Sequence, residues 1–103
     1  MKPRKVTVNE ALKKLPGPNG ERWTTIFEDG ETEVELYAPR GTDPQKPHTR
    51  QEIYIVIKGE GIFYDGGKRK RFQEGDFLYV PAGVEHRFES FSDDLVVWAF
   101  FWK

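Results

Sequence analysis

From residue 22 onward the chain is written in short runs where apolar and polar residues alternate, separated by turn residues. A period of two marks half-buried β-strands. Residues 22–28 form the first run. Asp29-Gly30 turns it toward a second over 31–38, where Val34, Leu36 and Ala38 alternate with charge. Residues 39–47 hold a glycine, an aspartate and three prolines, which predicts an exposed loop. Residues 53–58 are apolar almost throughout. Runs over 60–64 and 68–72 flank Asp65-Gly66-Gly67, a hairpin-turn signature. Runs over 76–80, 85–91 and 95–102 complete the series. About eight short strands at regular spacing predict a sandwich or barrel.

Before these strands, residues 9–15 offer Asn9 as a cap, Leu12 and Leu15 three apart, and Pro16-Gly17 as a stop. That pattern predicts one or two turns of helix. The last run is apolar on both faces, with Val96, Trp98, Phe100 and Trp102 on one and Val97, Ala99 and Phe101 on the other. Such a strand is buried on both sides. One face lines the interior, and the other needs cover from a second sheet, the N-terminal helix or another subunit. A homodimer is the expectation.

The 103 residues suffice for one domain, 1–103, which buries only a little over ~60% of its unfolded surface. Eight Phe, four Tyr and three Trp supply the filling; Trp23, Phe27, Tyr37, Tyr54 and Phe63 are the expected barrel residues, one or two of them also walling a ligand pocket at the barrel mouth. Sixteen basic side chains nearly balance seventeen acidic ones, which gives no footprint for nucleic acid or an anionic membrane. The basic run from Lys68 to Arg71 lacks interleaved aromatics and reads as a charged, solvated strand edge. Absence of cysteine excludes disulfides and thiolate metal sites. Neither a signal-peptide core nor a membrane span is visible, so a cytoplasmic protein is expected.

Two segments carry candidate chemistry. In the stretch GDFLYVPAGVEH, residues 75–86, Pro81 must end a strand. The strand that follows places His86, Phe88 and Ser90 on one face and Arg87 and Glu89 on the other. An inward histidine there is either a hydrogen-bonded core residue or a ligand. In HTRQE, residues 48–52, four residues of straight strand would span about 13 Å. His48 and Glu52 can therefore share an ion only if the chain bends near Thr49, Arg50 and Gln51. A straight strand, with Arg50 pairing Glu52 at a solvated end, is the alternative.

These segments resemble the two motifs of the cupin superfamily. The second motif is Gly, five residues, Pro-x-Gly, two residues, His, three residues, Asn. Gly75, Pro81, Gly83 and His86 match every spacing, and Ser90 replaces the asparagine. The first is Gly, five residues, His-x-His, three or four residues, Glu, six residues, Gly. Glu52 and Gly59 keep its spacing, His48 falls on the second histidine and Lys46 on the first, and Gly41 lies one residue too near. The resemblance covers residues 41–90 and implies an all-β fold, a small antiparallel jelly-roll β-barrel with a short N-terminal helix.

The resemblance also implies a metal site on His48, Glu52 and His86. Two imidazoles and a carboxylate suit Fe, Mn, Ni or Zn and leave positions for a ligand. Lys46 removes the fourth family ligand. Arg50 could orient a substrate carboxylate, point outward, or neutralise Glu52 and displace the metal. Glu52, Tyr54 and Arg50 are the catalytic candidates. The expected function is oxygenase-, isomerase- or lyase-like chemistry on a small polar molecule. The alternatives are a barrel that binds a small molecule or metal without turnover, and a metal-free structural dimer.

Overall fold

The computed structural model describes residues 2–103. Eight strands follow one helix: α1 (Val8–Leu12), β1 (Trp23–Asp29), β2 (Thr32–Tyr37), β3 (Gln51–Lys58), β4 (Gly61–Asp65), β5 (Lys68–Phe72), β6 (Phe77–Val80), β7 (His86–Glu89) and β8 (Val96–Trp102). They form a five-stranded sheet ordered β1-β2-β8-β3-β6 and a three-stranded sheet ordered β5-β4-β7. Every pairing is antiparallel. The two sheets face each other as a small jelly-roll barrel, the expected all-β architecture.

Alternation along the strands sorts side chains between the interior and the outside. On β3, Glu52, Tyr54 and Val56 are buried, and Gln51, Ile53, Ile55 and Ile57 lie on the opposite face. On β7, His86 and Phe88 point inward. Phe88 sits among three aromatic rings, with centroids 4.9 Å from Tyr54, 5.4 Å from Phe63 and 5.2 Å from Phe72. The contacts to Tyr54 and Phe72 are edge-to-face, and such pairs add about 0.5–1.5 kcal/mol each beyond the apolar area they bury. Ser90 does not continue the inward row. The strand ends at Glu89, and Ser90 is exposed with φ of 47°.

A second apolar cluster lies outside the five-stranded sheet. There Ala11 of α1 packs with Leu36, Ala38 and Val96, flanked by Leu12, Leu15, Ile57 and Trp98. The helix therefore covers part of the outer face of β8. Its cap is Thr7 rather than Asn9: the Thr7 hydroxyl accepts from the Glu10 N–H, and the Glu10 carboxylate accepts from the Thr7 N–H. This reciprocal capping box outcompetes the lone asparagine two residues on. Phe27 is also not interior filling, whereas Trp23 and Tyr37 wall the cavity at the barrel mouth. Irregular β1–β2 register between Thr25 and Phe27 re-aims the strand, and Phe27 lines an outer groove together with Val6, Val34 and Phe100. Trp23 stands 47% exposed at the barrel mouth.

Turns close as their residues require. Gly66 and Gly67, with φ of 57° and 97°, make the two-residue β4–β5 link that the right-handed strand twist favours. Lys68, Arg69, Lys70 and Arg71 lie exposed on the edge strand β5.

Candidate metal centre

His48, Glu52 and His86 meet inside the barrel, with one ligand atom from each lying within 4.8 Å of the others. The chain bends at Thr49 and Arg50, immediately before β3 begins. That bend shortens the path from His48 to Glu52 and brings His48 Nε2 to 2.9 Å from Glu52 Oε1. His86, from the start of β7, brings its Nε2 to 3.1 Å from the same oxygen. Glu52 and His86 are each 1% exposed.

Both imidazoles are held from behind. His48 Nδ1 lies 2.9 Å from the Arg50 carbonyl, and His86 Nδ1 lies 2.9 Å from the Val84 carbonyl. A carbonyl only accepts, so each Nδ1 carries a proton and donates it. This turns each Nε2 toward the carboxylate. Two nitrogen lone pairs facing a carboxylate oxygen repel unless a proton or a metal ion lies between them. Burial opposes charging of His86, yet the Glu52 carboxylate, the Val84 carbonyl and more distant Asp43 together raise its pKa above the ordinary value. The cluster draws positive charge, and a cation meets the same demand. Both Nε2 atoms lie close enough to the same carboxylate oxygen that His48, Glu52 and His86 could hold one such ion between them.

Four more residues complete the site and carried no motif. Asp43, buried in the loop after β2, accepts from the Phe88 N–H at 2.8 Å, from Gln45 Nε2 at 2.7 Å and from the Tyr37 hydroxyl. Gln45 Oε1 accepts from the Tyr54 hydroxyl at 2.8 Å and lies 3.1 Å from His86 Nε2. Glu35 and Tyr37, on the inward face of β2, line a cavity of about 230 Å³ together with Trp23, Gln45, Glu52 and Phe101. Burial, then the neighbouring Glu33 carboxylate and the charge of Glu52, push the Glu35 pKa up to about 8. Period-two alternation could have flagged Glu35 and Tyr37. The loop residues Asp43 and Gln45 left no such signal.

Of the three catalytic candidates, Glu52 lines the cavity. Tyr54 is fully buried, and burial with the nearby Glu52 and Asp43 charges holds its hydroxyl protonated far above the usual range. Arg50 turns away from Glu52: Nη1 meets Glu33 Oε1 at 2.8 Å, and the guanidinium stacks over the Phe101 ring at 4.5 Å. It does not neutralise Glu52. Lys46 is exposed.

A family model described as Cupin domain matches residues 33–102. A solved Cupin 2 conserved barrel domain protein from Salinispora arenicola superposes with a TM-score of 0.66 at 23% identity, covering 79% of this chain and 74% of that one. An uncharacterized protein of Streptomyces coelicolor is 43% identical over 56 residues, 54% of this chain and 53% of that protein. The oxalate-binding protein of Thermotoga maritima is 38% identical over 39 residues, 38% of this chain and 32% of its own. An acireductone dioxygenase of Bacillus cytotoxicus is 38% identical over 55 residues, 48% of this chain and 32% of its own. The matches thus span about half the curated relatives' length or less. Among the described residues, no helix is long and apolar enough to cross a membrane.

Proposed function

The chain belongs to the cupin domain family, and from that premise we propose that its barrel holds one divalent transition metal on His48, Glu52 and His86 and acts on a small polar molecule at the barrel mouth. The observation that carries this is the convergence of two outward-locked Nε2 atoms on one buried Glu52 oxygen. Charge supports it as well. Glu33, Asp43 and Glu52 lie at this end of the barrel, and the Arg50 guanidinium is already paired with Glu33.

When bound, Fe, Mn, Ni or Zn supplies Lewis acidity and open positions for a chelating substrate or dioxygen. The chain supplies the rest. Glu35 holds a proton at neutral pH on a carboxyl that faces the cavity, so it can protonate or deprotonate a bound substrate. Phe101 and Ala99 form the apolar wall, and Trp23 flanks the opening. A cavity of about 230 Å³ admits a small molecule rather than a polymer. Oxygenase chemistry is favoured over isomerisation by the acireductone dioxygenase relative. A second copy of the chain is proposed to cover the remaining outer face of the five-stranded sheet.

A binder without turnover is the second reading, favoured by the relative named for oxalate binding. Oxygen uptake by metal-loaded protein over a panel of 1,2- and 1,3-dicarbonyl compounds separates the two. Uptake that depends on His86 supports the oxygenase. A flat trace, with the same compounds still raising the melting temperature, supports the binder.

A further inference from the structure

The family motif places a histidine where this chain has Lys46, whose side chain is exposed. Its neighbour Gln45 reaches inward instead. We propose that Gln45 is the fourth protein donor to the metal, binding through Oε1 beside His48, Glu52 and His86. This inference rests on the metal centre proposed above.

The orientation of the amide is forced rather than free. Asp43 is 6% exposed, and as a carboxylate it accepts without donating. Its Oδ2 lies 2.7 Å from the Gln45 side-chain nitrogen. Rotating the amide would set a carbonyl oxygen against that carboxylate and lose a charge-assisted bond. The Gln45 NH2 therefore faces Asp43, and Oε1 faces the site. Tyr54 accommodates that choice from the other side, its hydroxyl donating to Oε1 at 2.8 Å. Oε1 then lies 3.1 Å from His86 Nε2, the separation that Glu52 Oε1 has from the same nitrogen.

Pro44 and Pro47 bracket Gln45 and restrict the loop that carries it, so less entropy is lost in holding the amide there. Asp43 is itself fixed by the Phe88 N–H of β7, the strand that carries His86. Gln45 and His86 are thus positioned by one shared anchor. An amide oxygen in place of an imidazole makes the donor set two nitrogens and two oxygens. Carbonyl and carboxylate oxygens suit Mn2+ better than a third imidazole would, whereas Zn2+ is content with three protein ligands and a water.

The test is titration of the chelator-stripped protein with Mn2+ and, separately, Zn2+ against a chromophoric competitor. Wild type, His86→Ala, Gln45→Met and Gln45→His are compared. Gln45→Met is expected to weaken Mn2+ binding about 10–100-fold, with a smaller loss for Zn2+. Gln45→His is expected to shift preference toward Zn2+. The inference is overturned if Gln45→Met binds both metals as wild type does while His86→Ala does not; the metal centre then stands. It is also overturned if Gln45→Met loses both metals in equal proportion, since a residue that only positions His86 would not alter metal preference. If wild type binds neither metal, the metal centre itself falls. Should Gln45→Met fail to fold, Gln45→Asn keeps the amide one methylene too short and is read by the same Mn2+ to Zn2+ ratio.

Discussion

The Gly83 backbone N–H donates to the His48 carbonyl at 2.7 Å, tying the corner that precedes His86 to the bend that delivers His48. Both histidine-bearing segments thereby share one backbone bond. Gly83 has φ of +79°, and a Cβ there would meet nothing within 4 Å. Gly83→Ala should therefore cost conformational strain alone, about 1–2 kcal/mol, read as a lowered denaturant midpoint. Metal affinity should fall as well, because the corner shifts. Gly30→Ala is the control: its φ is +60° with open space around it, in the hairpin between β1 and β2. It should lose similar stability and keep its metal affinity. Equal metal affinity in both variants would deny the corner any part in the site.

Metal content gives the most direct check of the centre. Protein purified without an affinity tag should carry close to one equivalent of a transition metal, with His48→Ala and His86→Ala each falling below about a tenth. Elemental analysis measures this. Wild type below that same level, unchanged in the two variants, would remove the metal centre.

Glu35 predicts a pH dependence with a definite sign. Its folded pKa, about 8, lies above the ordinary 4.5, so the folded state binds more protons between those values. Stability of the stripped protein should then decline as pH rises from about 5 to 8 and level off beyond. With the partial exposure of Glu35 discounted, the loss is about 1–2 kcal/mol, each kcal/mol lowering the melting temperature about 4–8 °C. Glu35→Gln should flatten the profile and melt higher than wild type at pH 8. Parallel curves for the two proteins across this range would show that Glu35 is ionised at neutral pH.

Much of this was legible in the chain. Short runs between turn residues located all eight strands within a few residues; alternation marked most of them, because inward and outward faces impose a period of two, while β3 and β8 showed as continuous apolar runs. Motif spacing picked His48, Glu52 and His86, and the required bend at Thr49 and Arg50 is present. What stayed hidden depends on contacts between distant segments. Gln45 reaches His86, 41 positions away, from a loop with no periodicity to read. Arg50 sits between two site residues in sequence, but Glu33 and the Phe101 ring draw its guanidinium elsewhere. The helix cap was equally legible, since Thr7 and Glu10 spell the capping box in four residues.

The outer face of β8 remains partly bare, and two of the four edge strands, β6 and β5, explain which part a second copy would cover. Helix α1 packs over Val96 and Trp98. Beyond it, Trp102 stacks on Tyr79 at 6.3 Å, and Phe77 and Tyr79 are 61% and 44% exposed. Both project from β6, an edge strand with no lysine or arginine. Edge strand β5 carries four consecutive basic residues, the usual guard against edge-to-edge pairing. β6 lacks that guard and adds exposed aromatics, the surface expected of an interface. Sedimentation should find wild type at twice the chain mass, and Phe77→Lys with Tyr79→Lys at the single-chain mass. Neither residue touches His48, Glu52 or His86, so metal content should be unchanged in the double variant. Wild type sedimenting as a single chain at every concentration tried would overturn the second copy.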